Sequence, residues 1–118
     1  MNATLDLEPV HTYRGHTSRV LTLCLNGNTF YSGSQNGEII AWSIPSNVMS
    51  MDPYDPYDAK LQLSNTAAHN DAIWSLASLT SSATNSQILC SASADGAIKI
   101  WDTTRSVSPL KTIDQNGN

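Results

Sequence analysis

The chain has 118 residues, 40% hydrophobic and 14% charged, with a net charge of −4 at neutral pH. That is enough apolar material for a packed domain, and 6 Lys+Arg against 10 Asp+Glu with no basic cluster exclude an electrostatic footprint for nucleic acid or an anionic membrane. Polar surface comes from 16 Ser, 11 Thr and 10 Asn, which compete with the helix backbone and cannot lace an exposed helix with ion pairs, so an all-β chain is expected.

Residues 1–8 are a lead-in with neither a basic start nor an apolar stretch, so no signal peptide is expected, and the Asn2-Ala3-Thr4 glycosylation pattern carries no weight without one. Residues 9–14 read as an outer strand. Gly15-His16 opens a unit covering 15–66: an apolar strand at 20–25, the turn Asn26-Gly27-Asn28, a returning strand at 29–33, a turn at Asn36-Gly37 and a strand at 38–42. An insert at 43–60 precedes a strand at 61–65. Ala68-His69 opens a second unit, 67–114, with strands at 73–77, 87–92, 97–101 and 110–113 and a turn at Asp95-Gly96. Asn-Gly and Asp-Gly predict type I′ turns, whose central residues both need positive φ. Residues 78–87, rich in Ser, Thr and Asn, read as a mobile loop, and 115–118 as a truncated tail. Apolar runs reach about six residues against the ~20 that cross a bilayer, so no direct membrane insertion is expected. Cys24 and Cys90 lie in apolar segments without a CxxC pair, which predicts buried reduced thiols, no metal site and a cytoplasmic location.

The two units are copies. Ser32, Gly37 and Trp42 align with Ser91, Gly96 and Trp101 at an offset of 59, and Gly15-His16 aligns with Ala68-His69 at 53, so the second copy is six residues longer between 77 and 87. A Gly-His opening, a Ser-x-x-x-Asp-Gly turn and a Trp-Asp ending resemble the WD-repeat β-propeller family, at Gly15-His16, at Ser91-Ala92-Ser93-Ala94-Asp95-Gly96 and at Trp101-Asp102. The first unit departs from that pattern with Asn36 for Asp and with Trp42-Ser43, the second with Ala68-His69. Leu5-Asp6-Leu7-Glu8-Pro9-Val10, the insert Asp52-Pro53-Tyr54-Asp55-Pro56-Tyr57-Asp58 and Asp71-Ala72-Ile73-Trp74 further resemble the striatin family, in which such an insert lies between two blades of a C-terminal propeller. The resemblance covers residues 5 to about 114. It implies an all-β fold of two four-stranded antiparallel blades in an incomplete ring, with residues 9–14 as an extra outer strand of a preceding blade. It also implies a non-catalytic protein-interaction scaffold assembling kinases and protein phosphatase type 2A, with no cofactor. The family's N-terminal caveolin-binding, coiled-coil and calmodulin-binding segments lie outside it.

Ser91, His69 and Asp95 have the composition of a nucleophilic triad, and a serine hydrolase is the alternative reading. The resemblance implies instead two structural hydrogen-bonded tetrads: His16, Ser32, Asn36 and Trp42, and His69, Ser91, Asp95 and Trp101. The duplication favours the tetrads, because an enzyme has no reason to build its triad twice, and no nucleophile elbow is present. Asn36 offers His16 a neutral partner where Asp95 offers His69 a charge-assisted one, so the second unit is expected to be the better locked.

Partner-binding candidates are Arg19, which follows the Gly-His turn, and the insert residues Asp52, Tyr54, Asp55, Tyr57 and Asp58. The insert repeats every three residues, the period of polyproline II, which would space its Asp residues ~9 Å apart, too far to share one cation but suited to an acidic, aromatic ridge for a protein. Trp74 is expected to pack within a blade. Two blades leave two apolar faces open, so further blades are implied. Alone the chain is expected to be marginally stable, or an incomplete gene product without independent function.

Overall fold

The computed structural model of the chain describes residues 7–45, 61–65, 67–104 and 109–114. Among them the strands run β1 Val20–Asn26, β2 Thr29–Ser34, β3 Ile39–Ser43, β4 Leu61–Asn65, β5 Ile73–Thr80, β6 Gln87–Ser93, β7 Ala97–Asp102 and β8 Pro109–Asp114. They form two antiparallel four-stranded meanders, ordered β1-β2-β3-β4 and β5-β6-β7-β8. The irregularities are duplicated with the sequence. A register shift between Val20 and Thr22 recurs between Ile73 and Ser75, and one between Ala41 and Trp42 recurs between Ile100 and Trp101.

The glycines, and not their Asn or Asp neighbours, take the left-handed conformation: Gly27 has φ 63°, Gly37 87° and Gly96 89°, and among the described residues Asn85 is the sole other residue at positive φ. The Asn36-Gly37 and Asp95-Gly96 turns are therefore not type I′. Gly37 N–H donates to the Ser34 carbonyl and Gly96 N–H to the Ser93 carbonyl, each at 3.2 Å, closing a three-residue loop on a left-handed glycine. Asp95 is held in that loop by accepting from Ala97 N–H at 2.9 Å, while its own N–H donates to Ser93 Oγ at 3.1 Å.

The core lies between the sheets. Tyr31, Ile39 and Ala41 of the first cluster with Ile73, Leu76, Leu89 and Trp101 of the second and with Ala68 of the loop before β5, Cys24 packing alongside. Gly33 allows the close approach: a Cβ there would stand 2.7 Å from Ile73 Cγ2. Side-chain hydrogen bonds span the same interface, from Asn26 Nδ2 to Ser78 Oγ (3.0 Å) and from Tyr31 Oη to Gln87 Oε1 (2.9 Å). Cys24 and Cys90 are free thiols and only partly buried. Burial, and secondarily Cys90, push the Cys24 thiol up to about 11.

Three further expectations change. Val10 to Arg14 form no strand, because no strand among the described residues pairs with them; instead the Tyr13 ring sits edge-on to Phe30 and Trp42 at 5.0 and 5.3 Å, and its hydroxyl donates to the Ser43 carbonyl at 2.9 Å. Trp74 falls at the β5 register shift and is 62% exposed instead of packed. The loop after β5 is shorter than expected and closes on itself: Ser81 N–H donates to Ser86, and Asn85 N–H to Ser81. Each sheet also keeps an open face, marked by Leu23 and Leu25 on β1 (57% and 61% exposed) and by Leu79 and Ile98 on the second sheet (56% and 47%).

Candidate functional site

Each unit joins a loop, a strand and the next strand through one buried hydrogen-bonded chain. In the second unit Trp101 Nε1 donates to Ser91 Oγ at 2.8 Å, Ser91 Oγ lies 2.7 Å from His69 Nε2, and His69 Nδ1 lies 3.0 Å from Asp95 Oδ2. Since a carboxylate only accepts, Nδ1–H donates to Asp95; on the neutral ring Nε2 then accepts from the Ser91 hydroxyl, whose oxygen accepts from the indole. One neutral tautomer of His69 satisfies every link. Burial pulls the His69 imidazole below its ordinary value, although Asp95 works against the shift. For Asp95 burial raises the carboxyl, but backbone N–H groups of Ala97 and Asn70, together with His69, outweigh it and hold the carboxyl below its usual range.

The first unit repeats the inner half. Trp42 Nε1 donates to Ser32 Oγ at 2.8 Å, and His16 Nε2 lies 2.5 Å from that oxygen. Its outer half departs from the sequence reading. His16 Nδ1 meets Glu38 Oε1 at 3.1 Å, and Asn36 is not its partner. Asn36 instead accepts from Ser34 Oγ and donates from Nδ2 to Thr17 Oγ1 at 3.2 Å, staying exposed in the turn. Glu38 stands two residues later, just before β3, where its longer side chain reaches the imidazole; the residue is 7% exposed. The signal was present in the sequence: Glu38 is the acid nearest to Asn36, and it falls where the second unit has Ala97.

Both units are thus locked by a carboxylate, and the predicted asymmetry of charged against neutral partner does not hold. Lys99, unassigned by sequence reasoning, donates to the Ala68 carbonyl at 2.6 Å and lies 5.9 Å from the Trp101 ring centroid. The units are also clamped to each other: His69 N–H donates to the Gly37 carbonyl at 3.1 Å, and a Cβ on Gly37 would stand 2.0 Å from the His69 carbonyl oxygen.

Ser91 is 1% exposed, and its oxygen is engaged by both Trp101 and His69, which leaves no open side for a substrate carbonyl. Arg19 is exposed beside the first Gly-His turn, its carbonyl accepting from Gln35 N–H at 2.8 Å. Asp52, Tyr54, Asp55, Tyr57 and Asp58 lie outside the described residues. Among the described residues there is no group of three or more His, Cys, Asp or Glu able to hold a metal ion, and no helix long and apolar enough to cross a membrane.

Residues 7–43 and 60–102 match the family described as WD domain, G-beta repeat. The chain is similar to Striatin-4 of Mus musculus, 41% identical over 119 residues that cover 98% of this chain and 15% of that protein. It is 37% identical to Striatin of Mus musculus over 117 residues, covering 98% of this chain and 14% of that protein. It therefore spans a small part of the length of these relatives. Among solved structures, the WD40 beta propeller domain of Doa1 matches with a TM-score of 0.65 and 24% identity, over 95% of this chain and 31% of that chain. That likeness is one of fold.

Proposed function

This chain belongs to the WD domain, G-beta repeat family, and from that premise we propose that it serves as part of a striatin-like propeller, a non-catalytic protein-interaction scaffold that assembles kinases with protein phosphatase type 2A in the cytoplasm. One observation carries the non-catalytic part of the reading. The same His–Ser–Trp chain is built twice, buried both times, and each copy ties a loop to a sheet. Groups spent on holding loops leave the chemistry of recognition to the exposed turns and inserts. The candidate contact residues are Arg19 and the insert residues Asp52, Tyr54, Asp55, Tyr57 and Asp58, with Tyr supplying contact area and Asp supplying charge. The similarity to striatins supports the partner class, and the two free cysteines support a reducing location.

The test is co-elution of the purified chain with purified phosphatase 2A subunits and a kinase of the assembly. Binding is expected, weakened by joint Tyr54→Ala and Tyr57→Ala substitution. A chain that retains none of these components overturns the partner assignment. Labelling of Ser91 in the folded chain by a fluorophosphonate would overturn the non-catalytic reading.

A further inference from the structure

Three Asn-Gly dipeptides stand in the sequence, at 26–27, 36–37 and 116–117. An asparagine before glycine is open to attack on its own side chain, because no Cβ on the following residue shields that residue's amide nitrogen. Residues 116–117 lie outside the described residues, and the structure separates the other two sites. Asn26 is spent on the contact between the sheets: Nδ2 donates to Ser78 Oγ at 3.0 Å and Oδ1 accepts from Thr80 Oγ1 at 3.3 Å, both partners on β5. Turning its amide toward Gly27 would break both bonds. Asn36 is exposed and its partners are local. Its Oδ1 accepts from Ser34 Oγ in the same turn, and its Nδ2 donates to Thr17 Oγ1 at 3.2 Å. The Ser34 hydroxyl therefore already donates to the oxygen on which charge develops when Asn36 Cγ is attacked. The Gly37 N–H is tied to the Ser34 carbonyl at 3.2 Å, the long end of the hydrogen-bond range. At the matching Asp95-Gly96 the second unit presents no amide but a carboxylate, a far poorer electrophile, already accepting from Asn70, Ala97 and His69.

We propose that Asn36 is a site of self-catalysed deamidation, and that its isoaspartyl product loosens the clamp between the two units. The Gly37 nitrogen gives up its proton to solvent base and attacks Asn36 Cγ. A C–N bond forms, closing a succinimide, while the Cγ–Nδ2 bond breaks and ammonia leaves. One water then opens the imide at either carbonyl, giving aspartate or isoaspartate; water is consumed, ammonia released, and nothing is oxidised or reduced. The two products act differently on the fold. Aspartate keeps the main chain and stands where Asp95 stands in the second unit, with the Ser34 and Thr17 hydroxyls at hand to donate to it. Isoaspartate inserts one carbon into the main chain immediately before Gly37. The junction has no room for it: Gly37 has φ 87°, its carbonyl accepts from His69 N–H at 3.1 Å, and even a Cβ on it would stand 2.0 Å from the His69 carbonyl oxygen.

The experiment holds the purified 118-residue chain in mildly alkaline buffer, with and without urea, and follows each Asn-Gly peptide by mass spectrometry, with isoaspartate counted by enzymatic methylation. Without urea Asn36 is expected to convert about tenfold faster than Asn26, the factor that two neutral hydrogen bonds to β5 supply. In urea all three dipeptides are expected to convert alike. Ser78→Ala, which frees Asn26 Nδ2, is expected to narrow the gap. Asn36→Gln, whose longer side chain closes the corresponding ring far more slowly, is expected to abolish the early conversion. The isoaspartyl fraction is expected to unfold at lower urea than the Asn36→Asp variant, which should match the unconverted chain. Conversion of Asn26 as fast as Asn36 in the absence of urea overturns the site assignment. An isoaspartyl fraction as stable as Asn36→Asp overturns its effect on the clamp.

Discussion

Gly33→Ala probes how closely the two sheets must approach. The added Cβ would lie 2.7 Å from Ile73 Cγ2, 3.0 Å from Ile73 Cβ and 3.1 Å from Thr22 Cγ2. None of these atoms is the free end of a flexible chain: Ile73 is 0% exposed and branched at Cβ, which restricts its rotamers. Overpacking of this kind costs ~1–3 kcal/mol, offset by ~0.5–1 kcal/mol because alanine loses less conformational entropy than glycine at a position outside the left-handed region. The net loss is ~0–2.5 kcal/mol, at a melting-temperature drop of about 4 °C per kcal/mol. Ile73→Leu moves the branch from Cβ to Cγ and removes the nearest methyl, at a cost under ~1.5 kcal/mol on its own. The double variant is therefore expected to lose less than the sum of the singles, by about 1 kcal/mol, in urea melts followed by circular dichroism. Strict additivity would refute the reasoning, because it would mean that the approach at Gly33 is not what Ile73 constrains.

Glu38→Ala strands the His16 imidazole and is expected to cost ~1–3 kcal/mol, whereas Asn36→Ala, at an exposed turn residue, should cost about 1 kcal/mol or less. Urea midpoints decide the order, and the reverse order would return Asn36 to the chain. Because burial holds the His69 imidazole below its ordinary 6.5, the unfolded chain takes up that proton first, so His69 supports the fold fully above pH 6.5 and progressively less as the pH falls. The carboxyl of Asp95, held below 3.8, adds a second loss as the pH falls past that value. His69→Gln, which cannot titrate, is expected to flatten the first slope in a series of melts between pH 8 and pH 5. Both ring nitrogens of His11 are buried without a partner among the described residues, so His11→Phe, which keeps the edge-on contact to Tyr13, should gain ~1 kcal/mol; a loss of that size would show that the nitrogens are satisfied in solution.

The strands are legible because Asn26-Gly27-Asn28, Asn36-Gly37 and Asp95-Gly96 punctuate the inner ones and because two copies in one chain correct each other. The paired offsets place three strands of the second unit from the first, the fourth falling at its own spacing after the shorter connection, and the structure repeats even the register shifts. What failed to show in the sequence depends on neighbours. Residues 9–14 have strand composition, but a strand needs a ladder partner, and among the described residues Tyr13 lies on Phe30 and Trp42. Trp74 looked internal because its neighbours are apolar, yet it occupies the skipped position of the register. The turns were misassigned because the dipeptides Asn-Gly and Asp-Gly also suit a loop in which glycine alone turns left-handed.

The missed Glu38 has a physical lesson of its own. The Ser–Trp half of each chain follows from strand register: Ser32 lies opposite Ile40, two residues from Trp42, so both side chains share one face and the 2.8 Å indole bond comes with the pairing. The carboxylate half has no such constraint, because any acid that reaches the outer nitrogen of the imidazole will serve. In the second unit Asp95 does two tasks at once, receiving His69 while accepting the Asn70 and Ala97 amides that shape its turn. In the first unit the tasks are divided. Glu38 receives His16, and Asn36 bonds Ser34 and Thr17 within the turn region. Alignment of the repeats finds the turn residue, since turns have fixed spacing, and so it selects Asn36. It overlooks the proton acceptor, whose position is free to move along the chain as long as its charge arrives at the same nitrogen.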